Sequence, residues 1–138
     1  MANYSSENIK FIYLRKATTL GADDDNDNGS VCVPASSITS MHPSTDTELR
    51  IMVTSRMRYQ TNNTSASDAS AATSDVINND IIDIAITANT HKDVMKAITN
   101  KINDPYSETF ITIADNVTSE YLPNVTGVNA ISAAVLLS

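Results

Sequence analysis

The sequence is poor in glycine, and that shortage excludes a class of protein. Its 138 residues include three glycines, Gly21, Gly29 and Gly127. P-loop and Rossmann phosphate sites need several glycines within a few residues, because backbone amides must approach the phosphate closely. No such cluster exists, so nucleotide binding of these two kinds is excluded.

Cysteine and histidine are also scarce. Cys32 is the one cysteine, which excludes an intramolecular disulfide. Its place between two valines predicts a small buried hydrophobe on a strand rather than a nucleophile. With His42, interpreted as a loop residue, and His91, interpreted as a solvent-facing first-turn residue, it gives too few ligands for a structural zinc site. We therefore predict no catalytic residue, metal or cofactor, and no enzyme.

Cations are few and spread out. Nine Lys and Arg stand against 16 Asp and Glu, and the formal net charge is −7. Nucleic-acid binding needs a basic patch or stripe, so no nucleic-acid partner is expected. The start of the chain does not resemble a signal peptide, and the longest mostly apolar run, 130–137, falls short of the ~20 residues that span a bilayer. We expect synthesis in the cytoplasm and no membrane partner.

Neutral polarity is what the chain has in abundance, since 46 of its residues are Ser, Thr or Asn. They concentrate between Tyr59 and Asp80, where Val76 and Ile77 are the only larger aliphatic residues. Such a segment cannot bury enough apolar surface to offset its ordering entropy. We predict a flexible polar loop or arm at about 59–80 within a single domain, 1–138.

Alternating apolar residues predict strands over much of the remaining chain. The dipeptide Asn28-Gly29 predicts that the first two strands pair as an antiparallel hairpin. Pro34 and Pro43 predict an irregular connection over 34–47, with Ile38 and Met41 packed under a sheet edge. The segment 121–127 is predicted to be a turn-rich link. The last strand is apolar on both faces, which is typical of a central or covered strand. The predicted strands are 9–16, 31–33, 48–56, 81–87, 108–114 and 128–137.

One amphipathic helix is predicted at about 90–103. Thr90 fits an N-cap with Asp93 closing a capping box, and Asn103-Asp104-Pro105 ends the helix. The strands before and after it are expected to be parallel neighbours, or a split pair with one strand between them, joined by a right-handed crossover. The fold class is therefore α+β, mainly β-sheet, with this single helix in a strand-helix-strand unit.

The acidic turn invites a metal interpretation. Asp24, Asn26 and Asn28-Gly29 match the start of an EF-hand loop, but its twelfth position is Ala35 instead of Glu. Both flanks are predicted strands, so a solvated hairpin turn fits better, and a nonspecific cation site remains open. Asp80 and Asp83 are predicted at exposed or edge positions rather than as an acid–base pair. The four carboxylates of the turn are Asp23, Asp24, Asp25 and Asp27.

Several segments resemble small virion-associated proteins of marine tailed phages, especially those that infect cyanobacteria. They are NIKFIYLRKAT with the acidic turn after it, ASSITSMHPSTDTELRIMV, DIAITANTHKDVMKAITNKIN and FITIADN. The resemblance covers most of the chain apart from 59–80, and the helix stretch is its most specific part. It implies a capsid decoration (cement) protein that acts without chemistry.

A cement protein of this kind would lie on the capsid surface of the virion, as a homo-oligomer bound to the major capsid protein. It would stabilise the lattice by bridging neighbouring subunits. Two alternatives stay open at this point: another virion component, in the tail or neck, or a small calcium- or ligand-binding module that uses the acidic turn.

Overall fold

The computed structural model describes residues 9–26, 28–54 and 79–132, and these ranges form two four-stranded sheets and one α-helix. This confirms the predicted α+β class, mainly β-sheet with a single helix. The strands are β1 (Phe11–Arg15), β2 (Ser30–Pro34), β3 (Ile38–Thr45), β4 (Glu48–Thr54), β5 (Asn79–Ile86), β6 (Phe110–Asp115), β7 (Glu120–Tyr121) and β8 (Val125–Ser132), and helix α1 is His91–Asn103.

The first sheet has the order β2-β1-β6-β7. β1 pairs antiparallel with β2, as predicted, and parallel with β6. The dipeptide that suggested the hairpin acts differently, because Gly29 does not adopt a positive φ. Gly29 is instead required for space, since a Cβ there would lie 2.7 Å from the Cβ of Asp23.

The second sheet has the order β3-β4-β5-β8 and is antiparallel throughout. The prediction of an irregular connection over 34–47 is wrong, because β3 occupies most of it. Pro43 is accommodated because β3 is an edge strand, where a missing backbone donor costs no sheet hydrogen bond. Ile38 and Met41 do pack against the core, as predicted.

The strand-helix-strand segment does not have the expected pairing. β5 belongs to the second sheet and β6 to the first, so the two strands are neither neighbours nor a split pair. β5 pairs with β4 along one edge and with β8 along the other, so neither edge is left for β6. β6 pairs instead with β1 in the first sheet. Helix α1 therefore carries the chain from one sheet to the other, and it contacts β3 and β6.

The helix begins after Thr90, as predicted, but the capping box does not form. The Thr90 side chain makes no cap hydrogen bond, and its hydroxyl donates to the carbonyl of Thr87 at 2.7 Å. That bond fixes the turn before the helix. Asp93 still lies in the first turn, where its charge complements the helix dipole.

One apolar core joins the sheets and the helix. Complete burial of an aliphatic side chain contributes about 1.5–3 kcal/mol, so these residues dominate stability. The strand alternation predicted from sequence places the expected residues inward, and α1 adds Val94 and Ile98. The largest fully buried apolar side chains on the strands are Ile12, Leu14, Leu49, Ile51, Val53, Ile82, Ile84, Ile111 and Ile113.

Two strand boundaries correct the sequence expectations. β5 begins at Asn79, so the last two residues of the predicted arm belong to a strand, and the rest of it, up to 78, lies outside the described residues. β8 begins at Val125, inside the predicted turn-rich link, and stands last in the sheet order, so the predicted central position is wrong and the alternative, a strand covered by a partner, stays a prediction. The predicted continuation over 133–137 lies outside the described residues.

Candidate interaction surface

The outward face of the first sheet carries the exposed aromatic residues of its strands. Ile12 and Leu14 point into the core, so alternation along β1 turns Phe11 and Tyr13 outward. Phe11 lies beside Phe110 of β6, and both remain exposed, at 38% and 50%. On the other side Phe11 pairs with Pro34 and Tyr13 with Cys32. We call these five outward residues, Phe11, Tyr13, Cys32, Pro34 and Phe110, the aromatic face.

The aromatic face is ordered by ring contacts. The rings of Tyr13 and Phe110 are 5.1 Å apart between centroids with a 33° angle between planes, a tilted arrangement that favours ring–ring attraction. The guanidinium carbon of Arg15 lies 5.8 Å from the centroid of the Tyr13 ring. The outward side chains are thus held in one arrangement before any partner arrives.

A bidentate ion pair closes one end of this face. Arg15 Nε and Nη2 each donate to a carboxylate oxygen of Asp115 at 2.8 Å. The same carboxylate accepts the backbone N–H of Val117 at 2.9 Å, so it also fixes the turn after β6. These hydrogen bonds, with that of Arg15 the largest cause, lower the pKa of Asp115 to about 2. The pair locks two strands that are 100 residues apart in sequence.

Cys32 contradicts the prediction of a buried thiol. Val31 and Val33 occupy the inward positions of β2, so the cysteine between them is exposed on the aromatic face. Partial desolvation raises the pKa of its thiol, which disfavours the nucleophilic thiolate.

Neither histidine is where the sequence suggested. His42 lies in strand β3 rather than in a loop, half-buried and paired in register with Arg50. His91 is half-buried instead of solvent-facing, and its Nε2 donates to the carbonyls of Thr45 at 2.7 Å and Glu48 at 3.2 Å. It thereby ties the start of α1 to the turn between β3 and β4.

The two candidate carboxylates on β5 are buried, not exposed or at an edge as predicted. Asp80 is 1% exposed and Asp83 is 7% exposed, because β5 is a central strand. Asp83 forms an ion pair with Arg50 at 2.8 Å on the neighbouring strand. Asp80 alternates with Ile82 and therefore lies on the inward face of the sheet. The two carboxylates point to opposite faces, which does not suit an acid–base pair.

Two further polar side chains join distant parts of the fold. Lys10 is 5% exposed, and its ammonium donates to the carbonyl oxygen of Asp104 at 2.6 Å and to Ser107, beyond the end of α1. Asn116 donates to the carbonyls of Lys16 and Val128, and its Oδ1 accepts the backbone N–H of Val128. Asn116 thereby holds β8 against the first sheet.

The acidic turn forms an open surface rather than an ion cage. Asp23, Asp24 and Asp25 line a depression of about 540 Å³ together with Asn26 and Ser30. The turn is held by backbone hydrogen bonds between residues close in sequence, such as the one that the Gly29 N–H donates to the Asn26 carbonyl at 2.9 Å. Within 9–26, 28–54 and 79–132, no three His, Cys, Asp or Glu residues converge as a metal site requires, and Asp27 lies outside these ranges.

No family model matches the chain, and comparison with curated proteins and with solved structures gives no match either. Across the part of the chain that the structure describes, no helix is long and apolar enough to span a membrane.

The aromatic face is the feature that sequence reasoning missed. The one signal in the sequence is that β1 has apolar residues on both of its faces, which indicates that its outer face is not purely polar. Both phenylalanines of the chain lie on this face. Their proximity depends on a parallel pairing between strands 100 residues apart, which no local pattern reveals.

Proposed function

We propose that this chain is a non-enzymatic structural protein of a phage virion, a capsid decoration protein that binds and stabilises the major capsid lattice. The observation that carries the proposal is the aromatic face. A monomer gains little from exposing ordered aromatic side chains, whereas aromatic residues are enriched at protein interfaces.

The use of polar groups supports a role in contact rather than chemistry. Arg15, Arg50, Lys10, His91 and Asn116 each hold one element of the fold against another. Their hydrogen bonds and ion pairs are made within the fold and hold its elements in place. Among the described residues, the aromatic face is therefore the surface feature best suited to contact with a partner.

The resemblance to small virion proteins of marine tailed phages supplies the setting. Decoration of a lattice needs a folded unit and one or more adhesive faces, and the fold offers both. As a homo-oligomer on the capsid surface, the chain would bridge neighbouring capsid subunits.

Quantitative mass spectrometry of purified virions of the encoding phage tests this proposal. A decoration protein occurs at a copy number comparable to that of the major capsid protein, and purified chain added to expanded heads that lack it should bind them. A low copy number would instead place the chain in the tail or neck. Absence from the virion would contradict the proposal.

A further inference from the structure

The charges around the aromatic face are unevenly distributed. The acidic turn leaves β1 at Arg15 and returns at Ser30, so its carboxylates flank one end of the face. Burial is the largest cause that raises the pKa of Tyr13, the hydrogen bond with Asp115 is the largest that raises the pKa of Arg15, and the charge of Asp23 adds to both. At the opposite end, Glu108 lies two residues before Phe110 and is exposed. Negative charge therefore borders the apolar centre at both ends.

Few cations offset these carboxylates. Arg15 is neutralised by its bidentate pair with Asp115. Lys10 precedes β1 but is buried and donates to backbone carbonyls. Lys16 is the remaining described cation at the acidic-turn end, and it stands against three exposed or half-exposed aspartates. Among the residues that the structure describes, the border of the aromatic face is thus net acidic.

We propose that the aromatic face docks on a protein surface with an apolar centre bordered by Lys and Arg. The proposal rests on the proposed function, in which that surface belongs to the capsid lattice. Charge complementarity selects this occupant over a second copy of the chain. Two copies packed face to face would bring acidic borders together, each on a chain of formal net charge −7.

The single thiol of the chain reports on this face directly. Cys32 is exposed within it and is the only cysteine present. The first measurement is the rate of N-ethylmaleimide alkylation of Cys32, free and bound to expanded heads of the encoding phage. Binding should slow alkylation strongly. The matched control is Ser44→Cys, which keeps Cys32 and adds a second thiol at an exposed position on β3, and peptide mass mapping should show that this second thiol keeps its rate on binding.

Aromatic variants test the centre of the surface. Phe11→Gln and Phe110→Gln should each weaken binding to heads by about tenfold to a hundredfold, the loss expected for a buried aromatic anchor. The control is Tyr106→Gln, because Tyr106 is 93% exposed in the connection between α1 and β6. Circular dichroism should match that of the wild type in all three, since each side chain points outward, and the urea midpoint of Phe110→Gln should fall only slightly, because its contact with the Tyr13 ring is lost.

Charge variants test the border. Asp24→Asn/Asp25→Asn should weaken binding and flatten its dependence on salt, because screening acts on fewer charges. Asp46→Asn, in the turn of the second sheet, should change neither. Binding that is insensitive to Asp24 and Asp25 would overturn the cationic border of the partner.

The remaining outcomes separate the two proposals. If wild-type protein binds heads while Cys32 stays reactive and the Phe variants bind normally, the docking surface is wrong and the proposed function stands. If wild-type protein does not bind heads, the proposed function is wrong and this inference falls with it. If free protein sediments as a dimer that Phe110→Gln dissociates, the occupant is a second copy and the inference is overturned.

Discussion

The ion pair beside the aromatic face predicts a specific dependence of stability on pH. Asp115 has a pKa of about 2 in the folded protein against an ordinary value of 3.8. Its side chain is 6% exposed, so the shift reflects contacts shielded from solvent. A shift of this size corresponds to about 2 kcal/mol of stability at neutral pH, and Asp115→Asn should remove most of it.

The sign of the pH effect follows from the lowered pKa. The stabilisation is complete above the unfolded-state pKa, where the carboxylate is charged in both states. It declines as the pH falls from about 5 towards 2, because the unfolded chain takes up the proton first. The difference in unfolding free energy between wild type and Asp115→Asn should therefore shrink over that window and vanish below it.

Urea unfolding followed by circular dichroism at pH 7, 5, 4, 3 and 2 measures this difference. Asp46→Asn provides the control, since Asp46 is an exposed turn residue and its replacement should leave the unfolding free energy nearly unchanged at each pH. A difference between wild type and Asp115→Asn that stays constant with pH would refute the reasoning. So would a loss below about 0.5 kcal/mol at pH 7, the value typical of an exposed pair.

Three further substitutions test the polar and steric contacts of the fold. Asn116→Ala should destabilise by about 1–3 kcal/mol, because part-buried hydrogen bonds that join β8 to the first sheet are lost, and amide exchange at Val128 should quicken. Gly29→Ala should lower the urea midpoint, because the added methyl group would be overpacked against Asp23 at a cost of about 1–3 kcal/mol. Gly21→Ala would meet no such close contact, and its cost would come from the backbone φ of +88°. Lys10→Met should cost about 1–3 kcal/mol in the same urea assay, because the ammonium that donates to the carbonyls of Asp104 and Ser107 is lost, although Asp104 keeps the backbone N–H of Ser107 as a donor.

Local patterns predicted the elements better than their arrangement. Leu49, Ile51 and Val53 alternate cleanly, and β4 buries all three. The helix begins after Thr90 and ends at Asn103, as predicted. Both ends could be predicted because the apolar spacing and the proline after the helix are local signals. In both cases the spacing of apolar residues in the sequence matches the spacing of the residues that the strand or helix buries.

Sheet partners could not be predicted in this way, because they depend on which edges are free. β5 and β6 enclose a helix, a pattern typical of parallel neighbours, yet the edges of β5 are already paired. β3 escaped notice because Pro43 is a strand breaker in general and is harmless at an edge. The pairing of β5 and β6 was predicted wrongly and β3 was not predicted at all, and in both cases the deciding fact is the strand's place in its sheet.

Polar burial was misjudged for the same reason. Asp83 in an isoleucine-rich segment suggests an exposed position when the strand is considered alone. In the sheet it lies between two neighbouring strands, with Arg50 on one of them to compensate its charge. A buried carboxylate is tolerated where a cation is placed beside it. That pairing spans 33 residues and has no local signature.

The aromatic face differs from the rest of the surface because the fold does not need it. Ile12 and Leu14 are fully buried on the inner side of β1, and Ile111 and Ile113 do the same for β6. Phe11 and Phe110 therefore add little to the core, and replacing them with glutamine should leave folding intact. Exposed aromatic area also carries a risk of aggregation. A residue that costs solubility and adds little stability is best explained by a contact outside the chain, which is why binding to heads, and not unfolding, is the measurement that should respond to these two positions.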